Sequence, residues 1–268
     1  MTVVRLALKR CAAATDRMTP RRRGVVVLLY HRVGAGSGLA VDLPPREFDD
    51  QMAALAGRVV ALDDAIELLA APAAPAGPDP VVVTFDDGTA DFADEALPVL
   101  ARHRIPATLY VATRFVDRGE SFPRNGTPLS WSALADCCAT GLVTIGSHTH
   151  THALLDRTPL AEAVADLDRS IETIRERLGH DPAHFAYPKA VPPAPPVERE
   201  VRRRFRSAAL AGTRPNLYGR TDPHRLARSP IQVGDERRYF DHKVAGGMWL
   251  EDAARRVANR LRYRGATA

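Results

Sequence analysis

The chain has 268 residues, 45% of them apolar, with a formal charge of +5 and three cysteines. That length and apolar content suit one large α/β domain with a sizeable buried core, and Cys11, Cys137 and Cys138 form no CxxC pair, which argues against a disulfide framework. The positive charge is nearly all arginine scattered among Asp and Glu, and the clusters at 21–23 and 201–206 lack interleaved aromatics, so no nucleic-acid partner is expected.

Residues 1–23 read as a basic N-terminal extension to a single domain over 24–268. The apolar run of the extension is broken by Arg5 and Lys9, which leaves less than the roughly seven residues of a secretory leader core. No later segment has the ~20 apolar residues of a membrane helix. The expectation is a cytoplasmic protein; a membrane-surface helix over 2–12 is disfavoured because Val4, Leu6 and Leu8 form no clean stripe.

From residue 25 onward, short β-branched runs alternate with amphipathic stretches, the pattern of a parallel sheet or barrel. The runs predict strands at 25–30, 81–85, 108–113, 143–147, 184–188 and 207–210. Between them the clearest helix is 159–178, where Leu160, Val164, Leu167, Ile171, Ile174 and Leu178 recur every three or four residues before Gly179. Pro-rich loops lie at 71–80 and 189–196, and 249–264 reads as a closing helix.

The unusual polar residues follow the strands. His31 follows the first, Asp86 and Asp87 the second, His148, His150 and His152 the fourth, and Tyr187 closes the fifth. In a parallel barrel these positions share the face on which enzymes build their sites. Taken singly each has an ordinary reading, such as a turn for "DDG" or a polar edge for "HTHTH"; together they fit a catalytic zinc, which needs three imidazole or carboxylate ligands and one open position. His148 and His152, four apart, converge if their loop makes a helical turn, with His150 pointing away. One of the paired aspartates then binds the ion and the other stays free to take a proton from water.

These motifs, "TFDDG" at 84–88, "SHTHTH" at 147–152 and "FAYP" at 185–188, resemble those of the polysaccharide deacetylases of the NodB-homology type, carbohydrate esterase family 4. The resemblance implies a distorted (β/α)7 barrel and a divalent metal, usually zinc, used to remove the N-acetyl group from an N-acetylated amino sugar. It implies Asp86 as general base, Asp87, His148 and His152 as metal ligands, and the Tyr187 backbone N–H as an oxyanion donor beside the acetyl pocket. The late histidine of many members is replaced within "HRLARSPIQV", where Arg228 stands in its place and is suited to orient Asp86. "LLYHRVG" at 28–34 is similar to the early motif of the subgroup that includes poly-N-acetylglucosamine deacetylases, which makes His31 the general acid, with His224 as a fallback. The third motif departs from the family at His184 and Ala190, and the expectation is an altered pocket wall. Two other readings use the same residues: a non-catalytic metal-containing glycan-binding protein, or a hydrolase of an ester or imide.

Overall fold

Seven parallel strands close into a barrel in the computed structural model, which describes residues 3–16 and 22–262. They are β1 (Val26–Tyr30), β4 (Val81–Phe85), β5 (Ala107–Val111), β6 (Val143–Ser147), β7 (His184–Ala186), β8 (Ser207–Ala211) and β9 (Leu226–Pro230), hydrogen-bonded in that order and back to β1. Two short strands, β2 (Arg32–Val33) and β3 (Asp42–Leu43), pair separately beside the end of β1. Ten α-helices accompany them among the described residues: α1 (Val3–Asp16), α2 (Pro45–Leu55), α3 (Leu62–Ala70), α4 (Leu97–His103), α5 (Thr113–Arg118), α6 (Trp131–Ala139), α7 (Leu160–Leu178), α8 (Pro195–Arg204), α9 (Glu236–Val244) and α10 (Trp249–Arg262).

The strands β1 and β4 are buried on both faces, as a continuous β-branched run requires. Alternation sends Val26, Leu28, Tyr30, Val83 and Phe85 outward under the helices. Phe85 meets Tyr30, Phe48 and Phe92 there, with ring centroids 4.9–5.7 Å apart. Loss of such a buried ring costs about 3–5 kcal/mol, so this cluster fixes the strand end from which Asp86 projects inward. The inner face carries Val25, Val27, Val82, Tyr110, Ala186, Ala209 and Leu226, and Leu62, Ala65 and Leu69 of α3 pack against it. The helix α3 therefore plugs the end at which the strands begin and leaves the other end open for chemistry.

The ladder is uneven. Strands β5 and β6 pair through five residues, whereas β6 and β7 meet in register only at Ser147↔Phe185. That short contact is the distortion in the barrel, and the site opens beside it.

The helix α7 matches the predicted periodicity, and Gly179 ends it in the left-handed conformation at φ +80°. β9 is an addition to the predicted strands. The N-terminal segment is also different from a free extension: α1 packs on α9 and α10 through Ala12, Ala13, Tyr239 and Met248. Lys9 ion-pairs with the fully buried Asp235, which also takes Lys243 at 2.9 Å. Residues 1–2, 17–21 and 263–268 of the predicted terminal segments lie outside the described residues. No described helix is long and apolar enough to cross a membrane.

Candidate metal centre

At the open end, the sharp turn after β4 separates the two aspartates. Asp86 continues the inward alternation of the strand and is buried. Asp87 sits at φ +77° and Gly88 at φ +92°, which swings the second carboxylate away from the first. The ends of β6 and β7 carry similar backbone: Thr149, His152, Lys189 and Ala190 all have φ between +53° and +65°. Left-handed backbone costs a non-glycine residue about 1–2 kcal/mol, and its concentration around one cleft marks a functional site.

Asp87, His148 and His152 converge. Asp87 Oδ1 lies 3.5 Å from His152 Nε2 and 3.7 Å from His148 Nε2. Ligands bound at 2.0–2.2 Å to a tetrahedral zinc stand roughly 3.3–3.6 Å apart, so the donor set and its spacing fit such an ion. The convergence does not come from the expected helical turn. Residues 148–152 are an irregular loop, turned by the left-handed Thr149 and His152.

Neighbouring contacts orient these side chains. The Ala186 carbonyl lies 2.8 Å from His148 Nδ1, so Nδ1 donates and Nε2 keeps its lone pair for a ligand bond. Burial and the neighbouring His148 push the His152 imidazolium down to about 3 against the pull of Asp87, which leaves that ring neutral. Burial opposes the charge on Asp87, but His152, His31 and His148 outweigh it and hold the carboxyl well below the usual carboxylate range. His150 is not part of the cluster: its Nδ1 lies 2.9 Å from Thr113 Oγ1. The His150 and Thr151 N–H groups both donate to the Asp166 carboxylate at 3.0 Å.

Asp86 faces the same cluster, with Oδ2 3.9 Å from His148 Nε2. Arg228 reaches it from β9 with a two-pronged contact at 2.6 and 2.8 Å. Burial works against the charge on Asp86, but Arg228, His148 and His31 reverse that and hold its carboxyl below the ordinary value. His31, just past β1, has a buried Nδ1 with no hydrogen-bond partner. Burial lowers its pKa, with Asp87 and Asp86 opposing.

Residues 73–204 match the sequence model of the polysaccharide deacetylase family. The matched segment is a polysaccharide deacetylase domain. It contains Asp86, Asp87, His148, His152 and Tyr187, while His31 and Arg228 fall outside it. IcaB from Ammonifex degensii is similar over 84% of this chain and 98% of its own, with 26% identity and a TM-score of 0.72. The Streptococcus pyogenes deacetylase PplD, solved with acetate, shares the fold at 18% identity and a TM-score of 0.67, over 80% of this chain and 94% of its own. The BpsB deacetylase domain from Bordetella bronchiseptica does so at 18% and 0.64, over 80% and 98%. No curated protein sequence matches the chain.

Three sequence expectations change. Tyr187 does not enter the site: its N–H donates to the Ala209 carbonyl at 3.0 Å, and its buried ring packs outward with Phe185, Leu167 and Val197. His184 forms no pocket wall. It lies two residues before Ala186 on the inner face, with Nδ1 2.9 Å from Ser207 Oγ and Nε2 3.3 Å from Asp63 of the plug helix. The fallback acid His224 precedes β9 at the plugged end, with Nε2 2.8 Å from the Phe205 carbonyl, and is out of reach. The contacts of Thr113 and Asp166 with the His150–Thr151 segment had no signal in residue spacing.

Proposed function

We propose that this chain is a metal-dependent carbohydrate N-deacetylase that hydrolyses the acetamide of an N-acetylated amino sugar in a glycan, a glycan precursor or a glycosylated metabolite. The observation that carries this reading is the placement of the Asp87–His148–His152 cluster beside the Arg228-held Asp86 on the open face of the barrel. Asp87, His148 and His152 would hold a divalent ion, and two imidazoles with one carboxylate and an open position favour zinc. Such an ion supplies Lewis acidity toward water and the amide carbonyl.

The remaining steps belong to side chains. Asp86, kept anionic and fixed by Arg228, takes a proton from the attacking water as its oxygen bonds to the carbonyl carbon. The tetrahedral oxygen needs a donor, whose loss in comparable sites costs ~10²-fold or more. The Lys189 N–H fits this better than the Tyr187 N–H, because the latter already donates to the Ala209 carbonyl and the former has no backbone partner outside helices and strands among the described residues. His31 then protonates the departing nitrogen as the C–N bond breaks, giving acetate and a free amine.

Acetate release from N-acetylglucosamine oligomers tests the reading, measured on the chain as isolated, after chelation and after zinc is returned. Release should vanish on chelation and recover with zinc. Release indifferent to chelator would reject the metal role; cleavage confined to esters or imides would reject the amide.

A further inference from the structure

Arg228 is fully buried, and among the described residues Asp86 is its only ion-paired carboxylate. Its Nη1 also lies 3.3 Å from Thr84 Oγ1, and its Nε donates to the Leu210 carbonyl at 3.3 Å. One large contact is left. The guanidinium carbon stands 5.1 Å from the ring centroid of Tyr110, a fully buried residue on the inner face of β5. The neighbouring strand makes room for that ring: Gly146 pairs with Tyr110, and a Cβ there would come within 2.5 Å of Cδ1 and 2.8 Å of Cε1. Any larger residue at 146 drives the ring off its seat. The Tyr110 hydroxyl is buried without a hydrogen-bond partner, in an interior where such groups are nearly always paired. The contact that Tyr110 makes toward the site is therefore its ring face.

We propose that Tyr110 is a positioning residue, whose ring face, seated over Gly146, holds the Arg228 guanidinium in the plane that presents Asp86 to the metal cluster. The inference rests on the deacetylase reading for its catalytic consequence, though not for the contact itself. A ring quadrupole attracts a desolvated cation strongly enough to alter a rate about 10- to 30-fold. Because Tyr110 is fully buried and is not a member of the Asp87–His148–His152 cluster, its removal should act on kcat and leave KM and metal affinity alone.

The test uses the zinc-loaded full chain. Tyr110→Phe should keep kcat within about threefold, and Tyr110→Leu should lose about 10- to 30-fold with zinc affinity unchanged. Fluorinated phenylalanines at position 110 keep the shape while weakening the ring quadrupole, so kcat should fall stepwise with fluorination even if the Leu variant does not fold. Independence of kcat from fluorination, equal losses for Phe and Leu, or a matching loss of zinc affinity would overturn the proposal. A double-mutant cycle between Tyr110→Leu and Arg228→Met, read by urea unfolding, measures the ring–guanidinium coupling without turnover. If the wild-type chain releases no acetate, the functional reading fails, while a cycle with no coupling sinks this inference by itself.

Discussion

Arg228 holds Asp86 by both terminal nitrogens, at 2.6 and 2.8 Å, and neither side chain is more than 5% exposed. The pair joins the last barrel strand to the second across the interior, so one contact both closes the barrel and orients the proposed base. A buried pair adds little net stability over a well-packed apolar one, but breaking it leaves an uncompensated charge, which costs about 3–5 kcal/mol. Arg228→Met should lower the unfolding free energy by about that amount, and Asp86→Asn added to it should restore part of the loss. Urea denaturation measures both; a loss within about 1 kcal/mol would mean that the surroundings can solvate Asp86 without Arg228.

His31 is the proposed acid, and its buried, unpartnered Nδ1 makes it an unusual residue to keep for packing alone. An amine leaving group must be protonated, whereas an activated aryl acetate leaves without help. His31→Ala should therefore slow acetamide hydrolysis by about 10²-fold or more and aryl acetate hydrolysis by far less. Parallel rates on the two substrates would show this, and equal losses would remove His31 from the acid role.

Asp166 organises the loop between His148 and His152. Its oxygens accept from the His150 and Thr151 N–H groups at 3.0 Å, while His150 is tied to Thr113. Without that carboxylate the left-handed turns at Thr149 and His152 lose their anchor. Asp166→Ala should weaken zinc binding about 10- to 100-fold, the usual effect of an outer partner, and Asp166→Asn should weaken it less. Competition against a chromophoric chelator gives the affinity; an unchanged value would show that the loop holds itself.

Strands with apolar residues on both faces, such as Val26–Tyr30 and Val81–Phe85, were legible because a barrel buries both sides of its ladder. β9 was not, because "LARSP" has a charged residue at its centre and a proline at its end. Arg228 looks wrong for a buried strand until Asp86, 142 positions away, is seen opposite it. That His148 and His152 would converge was readable from spacing, and the family resemblance added Asp87 to them, but the loop geometry that brings the three together was not legible, since left-handed Thr149 and His152 have no sequence mark. Tyr187 was misplaced for a reason that sequence did contain. With alternate residues facing opposite sides, an inward Ala186 forces Tyr187 outward.

Asp235 gives the fold a predictable acid sensitivity. Burial disfavours its charge, but Lys243 and Lys9 prevail and hold its carboxyl below the ordinary value. A carboxyl with a folded pKa below its unfolded value of about 3.9 stabilises fully above that value, and the stabilisation is lost as pH falls through the folded pKa. The effect therefore lies below about pH 5, and near neutrality this group contributes no slope. Asp235→Asn should be less stable than wild type at pH 7, because Lys9 and Lys243 lose their shared partner, yet its Tm should fall less steeply between pH 5 and 3. Lys9→Met should behave in the same direction with a smaller effect, since Lys243 still pairs with Asp235 at 2.9 Å. Thermal unfolding across that range decides the matter. Parallel slopes for all three proteins would mean that acid unfolds the chain elsewhere, and that α1 is held by its other contacts, the Asp16 carboxylate with His242 and the Met248 N–H and the apolar packing on Tyr239.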